Sequence, residues 1–520
     1  MRGSATFLLV TIALLGLSMT AALAGDNPPL PPGLEEAETP SLPEGLEDGD
    51  TPSLPEGLGD DSGPSLPERL GDGSGPSLPA GLGDEGGPSL PEGLLETDPE
   101  ESLSAQETKT DWSDDLRAFG LRGFLDLRWG TRLQNDPYER DTSLGEMRLQ
   151  LALGKEVGAF WFDVVADFIY DDVANSHTID LDRGEGWLDL RQASVSFSPA
   201  EFMDIKIGRQ VLTWGTGDML FLNDLFPKDW VSFFIGRDTE YLKAPSDAVK
   251  VSLFSDWLNA DVIYTPSFDS DRTITGERIS YWNPMLGRRA GRDDIIAADH
   301  PDDSFTDDEI AVRLYREIGS FEVALYGYDG FWKSPAGMDP KTGLATFPGL
   351  AVYGASVRGP LAGGIVNAEF SWYDSKDDRS GDDPFVDNSQ LRALVGFERD
   401  LPEIANDFTV GLQWYLESML DYGAYRDASP PGANLKDANR HVLTLRVTKL
   451  LLNQNLNLSF FAYASPTDAD GYVRLNANYA IDDQWSAFAG MNVFFGKEEY
   501  TFFGQFERDT NAFLGMRWSF

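Results

Sequence analysis

The 520-residue sequence predicts an all-β fold. The expected form is a membrane-spanning antiparallel β-barrel of about 18 strands, with 16 as the alternative count, behind a disordered proline-rich arm. Three observations carry this. From Phe119 onward the dominant hydrophobic period is two. The connections between the alternating segments are short and long by turns. Downstream of the N-terminus no uninterrupted apolar stretch reaches the ~20 residues that a spanning helix needs.

The chain divides by composition. Residues 1–24 carry Arg2, an apolar run from Ala5 to Leu17 and then Ala22-Leu23-Ala24, the pattern of a secretory signal peptide cut before Gly25. Residues 25–100 hold a repeat of period 12: TPSLPEGLEDGD, TPSLPEGLGDDS, GPSLPERLGDGS, GPSLPAGLGDEG and GPSLPEGLLETD, with a degenerate unit from Asn27. Each unit offers one or two leucines and no aromatic ring, so no core can form. Proline, glycine and acid favour an extended, partly polyproline II chain reaching roughly 200 Å. The segment reads as a solvated spacer or, through its repeated Ser-Leu-Pro, as a contact array for a periplasmic partner or the cell wall over 27–98. Residues 101–117 are a linker or a short helix, and 118–520 form the barrel.

Charge narrows the function classes. Lys plus Arg number 41 against 86 Asp plus Glu, a formal net charge of −45, which argues against a nucleic-acid partner. Of these, 24 acids and 4 bases lie in 1–117. The absence of cysteine removes disulfides, thiolate zinc sites and cysteine nucleophiles. His177, His300 and His441 are far apart, and no Walker loop, HExxH or GxSxG occurs. No catalytic residue, metal site or cofactor is expected, and the protein is not read as an enzyme.

Within 118–520 the alternation is plain in Leu121–Trp129, in Met147, Leu149, Leu151 and Leu153, in Val366, Ala368, Phe370 and Trp372, and in Phe408–Leu416. Many segments run to about 10 residues, enough for a tilted strand to cross an outer membrane. Short turns such as Ser198-Pro199-Ala200 face long connections at 133–143, 173–184, 214–245, 267–304, 333–347, 376–388 and 422–437. Trp129, Trp187, Tyr264, Trp372, Trp414, Tyr479 and Trp485 fall near strand ends, as interfacial girdles do. A soluble β-sandwich would share the alternation but not the loop asymmetry.

The last strand alternates through Ala512, Leu514, Met516, Trp518 and Phe520. Gly515-x-x-Trp518-x-Phe520 resembles the C-terminal assembly signal of Gram-negative outer-membrane barrels. The resemblance implies delivery by the barrel-assembly machinery, contact with outer-membrane lipid and lipopolysaccharide, and a periplasmic N-terminal arm. Gly208-Arg209-Gln210 followed by Trp214-Gly215 resembles a motif of alginate-export-type and related, mostly uncharacterised, porin-like families. That resemblance implies an 18-stranded channel for a polar or polyanionic solute.

With apolar positions facing lipid, the alternate positions face the lumen. The expected pore lining is Arg122, Arg128, Arg148, Arg313, Arg358, Arg392, Arg446 and Arg474, with Asp163, Glu369 and Glu417. Arg209 falls on the lipid phase unless a bulge at Gly208 turns it inward, and the inward position is expected because a mid-bilayer arginine costs about 2–4 kcal/mol. Residues 214–245 are too apolar for a loop in water, and this third long loop is expected to fold inward as a constriction through Trp214, Asp218, Phe221, Asp224, Phe226 and Trp230. Loop 267–304, rich in acids and arginines, is expected at the surface, with Asp302, Asp303, Asp307 and Asp308 as a solvated run or a Ca²⁺ cluster. The resulting reading is a passive channel. Its alternatives are a barrel scaffold of an export or electron-transfer complex docking partners through the arm, and a surface receptor or adhesin.

Overall fold

A computed structural model describes residues 120–174, 178–181 and 183–520. The expectations placed on 1–119, and on His177, lie outside the described residues.

Eighteen antiparallel strands close on themselves. In chain order they are Leu121–Arg132 (β1), Thr142–Val157 (β2), Phe160–Asp171 (β3), Leu188–Ala200 (β4), Met203–Val211 (β5), Pro245–Leu253 (β6), Asn259–Thr265 (β7), Glu309–Ile318 (β8) and Phe321–Phe331 (β9). There follow Gly349–Leu361 (β10), Gly364–Ser375 (β11), Gln390–Asp400 (β12), Phe408–Met419 (β13), Asn439–Leu451 (β14), Leu456–Ser465 (β15), Asp470–Ala480 (β16), Trp485–Gly496 (β17) and Asn511–Ser519 (β18). Each strand pairs with its sequence neighbours, and β18 pairs with β1 from Phe124↔Ser519 to Arg132↔Asn511. Closure satisfies every strand edge, which an open sheet in hydrocarbon could not do.

The two faces are inverted relative to a soluble barrel. On β1, Asp126 and Arg128 are buried inside while Leu127 and Trp129 stand 48% and 51% exposed outside. The same phase leaves Met147, Leu325, Tyr353, Phe370, Leu412, Leu443 and Leu514 open on the exterior, and buries Arg148, Asp167, Glu369 and Arg474 within. Leaving such a ring of apolar side chains against water would forgo roughly 25 cal/mol per Å². The exterior is therefore built for an apolar surrounding.

One end carries tight turns and the other the long connections. The outer connections differ from expectation in two places. The β15–β16 connection is only 466–469, and 497–510 is a further long loop closed by a 3₁₀ turn, Gly504–Asp509. Loop 266–308 is solvated as a charge run only toward its end, where Asp302 and Asp303 are exposed and Asp307 and Asp308 half-buried; much of the rest is packed. Arg272, Arg278, Arg289 and Asp269 are buried, and Ile279, Tyr281 and Ala290 join the apolar core. Its charges pair within the loop (Arg288–Asp293, 2.9 Å), with the β1–β2 loop (Arg292–Glu139, 3.3 Å) and with the wall (Arg272–Asp189 of β4, 2.9 Å).

The terminal motif has a structural role at the seam. Phe520 N–H donates to Gly123 O (2.9 Å), and Gly123 N–H donates to Phe520 O (3.2 Å). The Phe520 ring covers Gly123, where a Cβ would lie 2.7 Å from that ring and overlap the Gln150 carbonyl. Trp518 stands opposite Leu125, with Trp485 and Phe520 at 6.4 and 5.2 Å between ring centroids. Gly123→Val, or loss of Phe520, is expected to cut the heat-modifiable, closed fraction on a cold-sample gel several-fold. A normal folded band in both variants would remove the seam from the account.

Candidate constriction and lumen

Residues 212–244 connect β5 to β6 and run inside the barrel. The stretch holds a short α-helix, Trp230–Ile235 (α1), and a 3₁₀ turn, Thr239–Leu242. Asp229 caps it by accepting from Ser232 N (2.7 Å) and Ser232 Oγ (2.6 Å), and Gly236 ends it at φ 99°.

The loop follows the wall from strand to strand, held by inward side chains. It begins at β11, where the Glu369 carboxylate accepts from Thr216 N–H, Thr216 Oγ (2.9 Å), Gly217 N–H (2.7 Å) and Asn223 Nδ2 (2.7 Å). Asp218 N–H then donates to Gln413 of β13 (3.2 Å), and the Asp218 carboxylate pairs with Arg446 of β14 (3.2 Å). Tyr463 of β15 donates to Met219 O (2.5 Å). Next come the carbonyls at the end of α1. Arg474 of β16 reaches Phe233 O (2.9 Å) and Arg237 O (2.6 Å), and Asn492 of β17 and Asn511 of β18 reach Phe234 O (2.9 and 3.1 Å). Arg128 of β1 reaches Gly236 O (3.0 Å). These cations and amides oppose the negative end of the helix, the sense its dipole favours.

Past α1, Asp238 sits between Arg128 (2.8 Å) and Arg517 of β18 (2.5 Å), and both arginines share Asp126 at 2.7 Å. Arg237 pairs with Glu146 of β2 (2.5 Å), and Gln150 donates to the Tyr241 hydroxyl (3.2 Å). Arg191 of β4 reaches Lys243 O (3.0 Å), one strand from where the loop set out. The result is a belt around most of the inner circumference. Its aromatic face packs Phe233 and Phe234 on Tyr472 and Phe494, with ring centroids 4.8 to 5.5 Å apart.

All six residues expected in the constriction belong to this belt, in different surroundings. Trp214 meets Phe226 edge-on at 5.0 Å, against the β6–β10 side. Phe221 and Trp230 meet at 6.0 Å on the opposite side. Asp224 is buried and takes Lys228 (3.0 Å) and Thr213 (2.8 Å). Of the expected lining residues, Arg128, Arg148 and Arg474 face inward but lie beneath the belt, at 6%, 2% and 3% exposure. Arg148 pairs with Glu146 (2.8 Å) and Asp167. Arg122, Asp163, Arg313 and Arg358 lie on inward phases toward the short-turn end, with Arg313 on Glu322 (2.6 Å). Arg392 and Glu417, 3.5 Å apart, lie on the long-loop side, where Arg392 stacks 3.9 Å from the Tyr373 ring.

Arg209 is a correction. No bulge forms at Gly208: Ala193↔Arg209, Ser194↔Gly208 and Val195↔Ile207 run in unbroken register, so Arg209 keeps the outward phase of Ile207. The irregularity in this region falls instead between Val165 and Ala166, opposite β4. Arg209 is tolerated outside because it sits at the long-loop rim, where Asp247 (2.8 Å) and the Leu190 and Leu181 carbonyls satisfy it. The residues that sequence reasoning missed are Asp238, Arg237, Asn492 and Asn511. The available signal was the adjacent Arg237-Asp238 pair just after the largely apolar run Val231–Ile235.

No protein-family model and no curated protein matches the chain. The chain is similar to solved porins. A triple mutant of the Rh. blastica porin aligns with 77% of this chain and 99% of its own, at 11% identity and TM-score 0.35. Pseudomonas aeruginosa OccK11 (OpdR) aligns with 77% and 95%, at 10% identity and TM-score 0.44.

At the long-loop rim, two acids have altered proton affinity. Burial pushes the Asp509 carboxyl up to about 7, with Arg132 at 3.0 Å opposing and Asp136 adding to the rise. Burial likewise raises Glu139 to about 7, against Arg132. Both acids ordinarily titrate near ~4. The closed rim therefore holds protons that the opened chain has already released, so closure is fully favoured below about pH 4 and weakens as pH rises through 7. Amide protection factors over 133–141 and 504–509, with the intrinsic pH dependence of exchange divided out, should be lower at pH 8 than at pH 5. The reverse order would contradict the burial assignment.

Proposed function

We propose that the chain is an outer-membrane channel for passive diffusion or export of polar solutes, with residues 212–244 as its constriction and its N-terminal arm in the periplasm. The observation that supports this most is the combination of an apolar exterior, a charged interior and a loop held along the inner wall by wall side chains. Barrels of this strand number leave an aqueous lumen that side chains alone do not fill. Solute choice then falls to the groups that the belt leaves open: Arg392 and Glu417 on one side of it, and Arg122, Asp163, Arg313 and Arg358 on the other. The barrel moves solute down its gradient and performs no chemistry on it.

Purified full-length protein inserted into planar bilayers should give ohmic single-channel steps, and it should migrate differently on gels before and after boiling. A boiling-dependent shift without any conductance would retain the barrel and discard the channel.

A further inference from the structure

Between the long-loop face of the belt and the outer loops lies a cavity of about 1350 Å³. Two properties define what it can hold. The first is charge matching. Lys228 pairs with Asp224 (3.0 Å), Lys436 with Asp387 (2.7 Å), Arg440 with Asp468 (2.5 Å), Lys333 with Glu309 (2.6 Å), and Arg392 lies 3.5 Å from Glu417. At the mouth, Lys497, Asp437 and Glu498 again bring both signs. Cations already neutralised by a neighbouring carboxylate present little net field to a free anion, yet their N–H and oxygen edges still bond to hydroxyl groups.

The second property is open aromatic surface. Phe385, Tyr500 and Phe502 line the cavity with 36%, 43% and 45% of their surface exposed. They sit on the outer loops, beyond the strands, where lipid does not cover them. Phe221, Trp230 and Trp282 line it half-buried. Rings held open around a common space are unfavourable in water unless a solute with an apolar face covers them.

Flat rings set among neutralised polar pairs suit the C–H faces and hydroxyls of a sugar better than they suit an anion. We propose that this cavity is a recognition site for an uncharged oligosaccharide, admitted from the long-loop side before it passes the belt. The proposal rests on the channel reading, to which it adds a solute class.

The test uses full-length protein, with maltotriose and cellotriose as neutral probes and trigalacturonate as a charged probe of equal length. At least one neutral trisaccharide, added to the long-loop side, should interrupt the ion current saturably. It should also change tryptophan fluorescence saturably in detergent, with trigalacturonate at least about tenfold weaker. Phe502→Ala and Phe385→Ala, each confirmed as closed barrels by their gel shift, should weaken the fluorescence response; about tenfold between them corresponds to two lost stacking contacts. Trigalacturonate binding as tightly as the neutral sugars would overturn the proposal, as would a conducting protein that responds to neither neutral sugar. A protein that carries no current but binds the neutral sugars would overturn the channel reading and leave the site in place.

Discussion

Removal of residues 216–238 is expected to raise single-channel conductance several-fold. The segment carries α1 and the belt's attachments to nine strands, from Glu369 of β11 round to Glu146 of β2. The strand ladder does not depend on it. β5 and β6 pair directly from Met203↔Leu253 to Val211↔Pro245, and the β18–β1 seam is made of backbone bonds and Phe520. The barrel should therefore still close, and its lumen should widen to that of an unobstructed 18-stranded wall. Ion preference should move toward anions as well. Arg474 loses both of its carbonyl partners, and Arg128 and Arg517 lose Asp238. Exposed guanidinium groups at a narrow section act within a Debye length of ~8–10 Å. Conductance equal to that of the parent would place the current path away from the belt.

The second large effect is expected from Glu369→Leu. Glu369 is 4% exposed and has no cationic partner within salt-bridge distance among the described residues; its charge is met by two backbone N–H groups, a hydroxyl and an amide. Hydrogen bonds to a charged group contribute about 1.5–3 kcal/mol each, and donors left unsatisfied add about 1–3 kcal/mol apiece. Leucine removes the acceptor and strands all four donors, so the belt's first attachment should open. Glu369→Gln keeps an acceptor oxygen and should lie between leucine and the parent. The readouts are current noise and protease access to Lys228, Arg237 and Lys243 in intact barrels. Quiet current and full protection in Glu369→Leu would show that the later attachments hold the belt without this one.

Much of the fold was legible because a closed barrel writes a strict period of two into its strands and a strict asymmetry into its connections. The inward course of the third loop was legible for a related reason: Phe221, Phe226, Trp230, Phe233 and Phe234 have no place in water. What alternation could not supply was pairing. Arg128 and Asp238, or Arg474 and the Phe233 carbonyl, are far apart in sequence, so these arginines read as pore lining or as pairs within the wall, when they are fastenings for the loop. Arg209 misled for a different reason. Its cost was judged at mid-bilayer depth, whereas it lies at the rim beside Asp247, where no bulge is needed to accommodate it. Loop 266–308 is solvated at Asp302 and Asp303, but its arginines were counted without their partners, and Arg272 and Arg278 are buried against Asp189 and Asp171.

The attachment of Asp238 has a consequence for the order of assembly. Its two arginines come from the first and last strands, and their common partner Asp126 faces Arg517 across the seam. Only the β1 half of that receptor, Arg128 with Asp126, exists in a chain whose final strand has not yet docked. Sequence-distant contacts of this kind form late, after the entropy of closing the intervening loop has been overcome. Until the last strand docks, the belt is therefore held from β11 to β17 while the stretch around Asp238 lacks Arg517. The same event that seals the cylinder to lipid thus completes the fastening of the loop inside it.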